Sequence, residues 1–338
     1  MIYPARSVLA IQMSSFGESL GLLPAMRALR ASYPKAFLVA AAPGGTCELL
    51  RDCGLVDEVI SLGVIKPSDG GHSGTLKRLV GLFRGARRYD FDLILDFSPS
   101  LETQIASRLG LRSRVFTPTS GSRVIALLLE LGGAGRATGR PSRSNYANVL
   151  QQIGVELNDF GLAITPRAEE DARFEQRLAA GGSRGGELIG LLYASNPNNR
   201  RFWPVDAFGE IGTRLANNLN ARIVAADEPS DNSFTRAVSA CLPPGAIKLA
   251  EPRTLELIAA IARSSIVITD EPAIAQIASE RGTPVIEIAD AISTTGASST
   301  THRIARGSSR MFVSTDEVYE IASEMIHENR SPSLFHRS

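Results

Sequence analysis

A single carboxylate in a strand-to-helix turn is the first residue of this chain that could do chemistry. Glu18 lies in Ser14-Ser15-Phe16-Gly17-Glu18-Ser19-Leu20-Gly21-Leu22-Leu23-Pro24, after the apolar run Ser7 to Met13. The run reads as a buried strand. Beyond the turn, Leu22, Leu23, Met26 and Leu29 share one helical face, with Ser32-Tyr33-Pro34 as the stop. Ligands of open α/β sheets meet the carboxyl ends of strands. A carboxylate there can take a proton from a bound hydroxyl. The same residue also suits the first turn of a helix, where negative charge meets the positive end of the dipole. The turn alone leaves both roles open.

Other chemistries lack their residues. Cys47, Cys53 and Cys241 form no CxxC pair, and His72, His302, His327 and His336 are scattered, so neither a disulfide framework nor a metal site is expected. No GxGxxG follows the first strand, and GxxxxGK[ST] and GxSxG are missing from the sequence. These gaps count against dehydrogenase, P-loop and α/β-hydrolase chemistry.

The elements that must position Glu18 alternate between strand and helix. In the first half, strands are expected at Ala36–Ala42, Glu58–Ile60 and Leu93–Leu95, with helices at Thr46–Asp52 and Leu76–Arg88. A helix from Pro166 to Ala180 then leads into Gly181-Gly182-Ser183-Arg184-Gly185-Gly186, where the composition shift suggests a nearby domain boundary. Strands follow at Leu188–Leu192, Arg222–Ala226, Ile266–Ile268 and Val285–Ile288. Helices are read at Val205–Asn217, Leu255–Ala262, Ala273–Arg281 and Asp316–His327, and Ser293–Thr301 as a loop. Such alternation predicts parallel strands joined by helical crossovers, hence two Rossmann-like doubly wound halves facing a cleft.

At 338 residues the chain has room for two domains. Apolar and charged fractions of 43% and 21% are those of a globular protein. No apolar run reaches the roughly 18 residues of a membrane span, and no leader pattern is read at the start, so a cytoplasmic protein is expected. Charge is uneven. Residues 1–165 carry 18 Lys+Arg against 13 Asp+Glu, a balance of +5; residues 166–338 carry 18 against 22, a balance of −4. Within 108–143, seven arginines, among them Arg112, Arg114 and Arg123, stand against one acid, Glu130. This Gly- and Ser-rich stretch suits a loop that meets an anionic partner. Nucleic acid is not expected, because aromatics are not interleaved with the arginines and the net charge is only +1.

Four segments in order resemble the ADP-heptose:lipopolysaccharide heptosyltransferase family (glycosyltransferase family 9), over about residues 7 to 325. Ser14 to Pro24 resembles its opening Ser-Ser-x-Gly-Asp motif, and Tyr89-Asp90-Phe91-Asp92-Leu93-Ile94-Leu95-Asp96 its Tyr-Asp-x-x-x-Asp strand. Arg200-Arg201-Phe202-Trp203-Pro204-Val205-Asp206-Ala207-Phe208 is similar to the Lys-x-Trp-Pro-x-x-x-Phe segment. Ile268-Thr269-Asp270-Glu271 through Gln276 to Gly282-Thr283-Pro284-Val285 stands at the Ser-Asn-Asp-Ser-Gly-Pro-x-His…Gly-Thr-Pro segment.

The resemblance implies a GT-B fold, with residues 1–165 binding the acceptor and 166–338 the nucleotide sugar. It further implies inverting, metal-independent transfer of a heptose-like sugar from a nucleotide-diphosphate donor, an ADP-sugar favoured, to a lipopolysaccharide-type or other envelope glycan. Glu18 would then be the base and Arg201 the contact to the leaving diphosphate. Ser15, Gly17, Arg200, Asp227, Asp270, Glu271 and Gln276 would line the donor site, and Arg112, Arg114 and Arg123 would meet an anionic glycolipid at the inner membrane surface. No cofactor is implied. The alternatives are an inactive relative that binds a ligand or partner, and a nucleotide-sugar epimerase.

Three departures mark this chain. Glu18 replaces Asp, adding one methylene; a ~1 Å misplacement can cost about 100-fold in rate. Arg201 replaces Lys, exchanging a compact ammonium for a planar fork. Glu271, Pro272, Ala273 and Gln276 replace a Ser/Thr-Gly helix start and a His, and so remove an N–H and add a Cβ where a diphosphate would approach. Asp-Glu-Pro is itself a good helix start. Trp203-Pro204 also reads as a helix entry with a buried indole.

Overall fold

Apolar runs without polar alternation belong to strands covered on both faces, and that is where they lie. The computed structural model describes residues 2–13, 16–61, 89–98, 114–117, 143–183, 185–194, 203–229, 232–289, 301–306 and 313–330, without the side chains of Glu18, Arg143, Ser144, Arg306 and Arg330. The expected helix at 76–88 and the loop at 293–300 fall outside those residues. The chain divides into two units, Met1–Leu162 and Ala163–Ser338.

In the first unit, β1 (Ser7–Ile11) leads to α1 (Phe16–Ser19), α2 (Leu22–Ser32), β2 (Phe37–Ala42), α3 (Gly44–Asp52) and β3 (Glu58–Ser61). β4 (Leu93–Asp96), β5 (Arg114–Phe116) and α4 (Arg143–Gln151) follow. The strands are parallel, in the order β3-β2-β1-β4-β5. β1 is central, with Ile11 in register with Ala41 of β2 and Asp96 of β4. Its Val8, Leu9 and Ala10 are fully buried.

The second unit contains α5 (Ala168–Ala180), β6 (Leu188–Tyr193), α6 (Val205–Leu219), β7 (Ala221–Ala226), α7 (Ser233–Val238) and β8 (Ile247–Leu249). It continues with α8 (Thr254–Arg263), β9 (Ile266–Thr269), α9 (Pro272–Glu280), β10 (Val285–Ala289), β11 (His302–Arg306) and α10 (Thr315–Arg330). Its sheet is also parallel, ordered β11-β10-β9-β6-β7-β8. α5 and α8 meet through two buried acids: Glu256 pairs with Arg177 at 2.5 Å and Glu170 with Arg253 at 3.6 Å. Without those cations the carboxylates would be buried charges at a cost of several kcal/mol each. Among the described residues no helix is long and apolar enough to cross a membrane.

The glycine run at 181–186 lies inside the second unit, between α5 and β6. Gly182, Gly185 and Gly186 have φ of +82°, +77° and +71°, a region L side chains rarely adopt. Arg222 holds this turn by donating to the carbonyls of Gly181 and Gly182 and pairing with Glu187. The composition shift therefore marks a turn and not the junction of the units.

Trp203 is the buried indole expected at the entry to α6. It is 4% exposed, lies edge-on to Phe208 and donates Nε1–H to the Val313 carbonyl at 2.9 Å, tying the chain before α6 to the chain before α10. Replacing the indole by phenyl keeps most of the apolar contact but leaves that carbonyl without its donor, a loss of about 1–3 kcal/mol. Urea unfolding of Trp203→Phe is expected to show a loss in that range; a change below about 0.5 kcal/mol would show that the bond contributes nothing net.

Candidate functional site

Each sheet grows outward in both directions from its first strand, so each has a point where neighbouring connections diverge. In the first unit that point is the carboxyl end of β1. Gln12 N–H donates to Ala41 of β2 at 2.9 Å, whereas Met13 N–H donates to the Ser98 hydroxyl beyond β4 at 2.7 Å. Phe97 N–H returns to the Ile11 carbonyl, and Ser98 N–H caps onto Asp96 Oδ1 at 3.1 Å. The chain thus leaves the sheet between the ends of β2 and β4, and the next described element, α1, carries Glu18.

Glu18 stands outside the first turn of α2, which begins after Gly21 and holds no acidic residue. It occupies a separate one-turn helix. Phe16 and Ser19 of that turn are buried, as is Thr46 of α3 nearby. Cys47, next to Thr46, offers no second nucleophile: burial pushes its thiol up to about 11, so it stays protonated.

The matching point in the second unit is the end of β6, between β7 and β9. Tyr193 ends β6, in register with Ala226 and Thr269. Burial, followed by the charges of Glu228, Glu271, Asp270 and Asp227, pushes its phenol well above its usual range, so it remains neutral. Four acids therefore act electrostatically on one buried phenol.

Two of them are engaged in the local backbone. Asp227 is 1% exposed; its Oδ1 accepts from Phe234 N–H at 2.7 Å and from Thr235 N–H at 3.2 Å, the first turn of α7. The sequence reading placed this carboxylate in the donor site; in the structure its oxygens accept the amides that open α7. Glu271 is the N-cap of α9: its side chain accepts from Ala273 N–H, and Pro272 occupies the first turn with no N–H to give. Gln276 Nε2 reaches Glu280 at 2.8 Å, toward the C-terminal end of α9 and away from its start.

Magnitudes decide what this edge favours. A helix N-terminus contributes typically 0.3–1 kcal/mol to an anion, up to ~2 kcal/mol when partly buried. A carboxylate about 4 Å from the same anion opposes it by ~1 kcal/mol in water and ~4 kcal/mol at an effective dielectric near 20. Asp270 and Glu271 alone therefore offset what α9 offers to a phosphate. Opposite charge must come from elsewhere, and the sequence reading gives that part to Arg200 and Arg201.

Among the remaining expected residues, Gly17 lies in α1 and Arg114 on the edge strand β5, its guanidinium 5.2 Å from the centre of the Tyr3 ring. Ser15, Arg112, Arg123, Arg200 and Arg201 fall outside the described residues. Asp96, which closes the Tyr-Asp motif read in the sequence, and Tyr193 each end an apolar strand, and Ser98 follows two residues after one; that position was the available signal. Among the described residues no group of three or more His, Cys, Asp and Glu is arranged to hold a metal.

No protein-family model and no curated protein matches the chain. Solved structures do. A glycosyl transferase family 9 protein from Veillonella parvula superposes with a TM-score of 0.66 at 14% identity, over 96% of this chain and 98% of that one. An Escherichia coli heptosyltransferase solved with ADP-2-deoxy-2-fluoro heptose gives 0.62 at 15% identity, covering 96% and 99%. A UDP-GlcNAc 2-epimerase from Neisseria meningitidis bound to UDP-GlcNAc gives 0.57 at 13% identity, covering 96% and 92%. The chain has the GT-B fold of two Rossmann-like domains that these proteins share.

Asp227→Ala should destabilise the second unit by about 1–3 kcal/mol, the range for losing a helix-capping acceptor and stranding its donors. Urea unfolding checks it. Unchanged stability would return the carboxylate to a ligand-binding role.

Proposed function

We propose that the chain is an inverting glycosyltransferase of the heptosyltransferase kind, moving a sugar from a nucleotide-diphosphate donor to a lipopolysaccharide-type or other anionic envelope glycan. One observation carries the reading: a turn with a single carboxylate leaves the carboxyl end of β1, in a chain whose fold matches heptosyltransferases from end to end. An ADP-sugar is the first donor to try, since one of those proteins was solved with an ADP-heptose analogue.

In this reading Glu18 takes the proton of an acceptor hydroxyl as its oxygen attacks the anomeric carbon. The bond from that carbon to the phosphate oxygen breaks, the sugar inverts and the nucleoside diphosphate leaves. Arg201, with Arg200 beside it, meets the negative charge developing on the leaving group. Ser15, Gly17, Asp270 and Glu271 are assigned to the donor, whereas Gln276, turned toward Glu280, is not. The 1–165 region takes the acceptor, with Arg112, Arg114 and Arg123 meeting its acidic groups. No metal or other cofactor takes part.

The start of α9 favours a second reading. Its free N–H is already taken by Glu271 and its first position is proline, so a diphosphate must displace a carboxylate to bind there. A protein of this fold that holds another ligand or partner, without transfer, accounts for that device. An epimerase is the third reading, as the fold is shared with one.

Mass spectrometry of mixtures of ADP-heptose, UDP-GlcNAc and other nucleotide sugars, with and without truncated glycolipid acceptors, separates the three. Sugar transfer dependent on acceptor is expected, with kcat for Glu18→Gln lower by at least about 100-fold, the usual contribution of a positioned base. An intact rate in that variant would remove Glu18 from the mechanism. New sugar from donor alone would establish the epimerase, and no turnover with any donor the non-transferring protein.

A further inference from the structure

We propose that Ser19 and Thr46 are positioning residues for Glu18, acting through a buried hydroxyl relay that fixes the turn on which the carboxylate is carried. The inference rests on the role given to Glu18 above. α1 spans four residues, far below the 12–15 at which an isolated helix becomes even marginally stable. What sets its conformation must come from its neighbours.

Both hydroxyls are fully buried. Ser19 Oγ donates to the Phe16 carbonyl at 2.7 Å, closing α1 on itself, and is also hydrogen bonded to Thr46 Oγ1 across 27 residues of sequence. A serine hydroxyl has one proton. As that proton goes to Phe16, Thr46 is the donor in the second bond. The relay then runs Thr46 O–H to Ser19 Oγ, and Ser19 O–H to the Phe16 carbonyl, two residues before Glu18. Thr46 sits in the first turn of α3, directly after β2, so the relay ties the turn to the rigid sheet.

The other side of the turn is fixed by contact. A Cβ on Gly21 would come within 2.5 Å of the Tyr146 ring, so the backbone lies directly against it. Tyr146 stacks on Phe97 with centroids 4.9 Å apart, and Phe97 N–H bonds to Ile11 at the end of β1. The backbone at Glu18 is thereby held between α3 and α4. A base must sit within a few tenths of an ångström of its productive place, and ~1 Å of slack can cost about 100-fold in rate. Buried hydroxyls bonded to each other and to α1 explain how a marginal turn meets that tolerance.

The test compares kcat, donor KM, melting temperature and amide hydrogen exchange in Ser19→Ala, Thr46→Val, the double variant and Thr46→Ser. We expect kcat to fall about 10- to 100-fold in each single variant with donor KM within twofold. The double variant should be no worse than the singles, and Thr46→Ser should recover most of the rate. Exchange at Phe16 to Leu20 should rise in Thr46→Val while the strands stay protected. Should Thr46→Val fail to fold, Ser19→Ala reads the same relay by removing one oxygen. Unchanged kcat in Ser19→Ala and Thr46→Val, while Glu18→Gln loses activity, would overturn the relay and leave the function standing. Full activity in Glu18→Gln would instead overturn the role of Glu18, and the positioning claim with it. If no donor is turned over, unchanged exchange at Phe16 to Leu20 in Thr46→Val rejects the relay, and increased exchange confines it to a structural tie.

Discussion

A parallel sheet that begins at its centre has one edge position free of crossover helices, and both units of this chain are built around that constraint. β1 and β6 are laid first. Each is then flanked on one side by the next strand and on the other by a later one. Connections from the central strand and from its later neighbour run to opposite faces, so the carboxyl end between them stays open. The strands can be wholly apolar because both faces are covered. Polar chemistry is therefore displaced to their ends. Glu18 follows β1, and Tyr193, Asp270 and Glu271 stand at the ends of β6 and β9, for the same topological reason.

The two ends differ in electrostatics. The first is polar and tied by hydroxyls and backbone amides: Met13 to Ser98, Ser98 to Asp96, Ser19 to Thr46. This edge already holds one buried carboxylate, Asp96, which accepts from the Ser98 amide. At the second, four acids act electrostatically on a buried phenol, and two of those acids satisfy helix starts. Asp227 orders α7 and Glu271 orders α9, which stabilises the unit but leaves few free donors for an anion. Arg200 and Arg201, proposed to meet a diphosphate, lie in sequence between β6 and α6. The fold is shared with heptosyltransferases of known structure.

Much of this was legible in the sequence. β1, β2, β4, β6, β7, β9 and β10 appear as apolar runs, and Trp203-Pro204 announced the entry to α6. The short strands β5, β8 and β11 did not, because they are three to five residues long and carry Arg114, Lys248, His302 and Arg303. The outermost strands of a sheet take such residues readily, and the apolar signal is lost with them. The role of Asp227 was hidden for another reason. The amides it accepts from lie seven and eight residues further on, and no local pattern points to them. Ser19 and Thr46 are farther apart still, so only the fold could bring their hydroxyls together. The glycine run itself lies in a turn of the second unit; left-handed turns and domain linkers draw on the same residue.

The central claim is that the altered second end still takes a nucleoside diphosphate. Calorimetric titration of the full chain with ADP, UDP and GDP measures this directly. Saturable binding of one diphosphate per chain, preferring one base and weakened by Arg201→Ala, is the result the account predicts. No heat with any of the three would contradict it, leaving a GT-B fold whose self-capped α9 has closed the donor site.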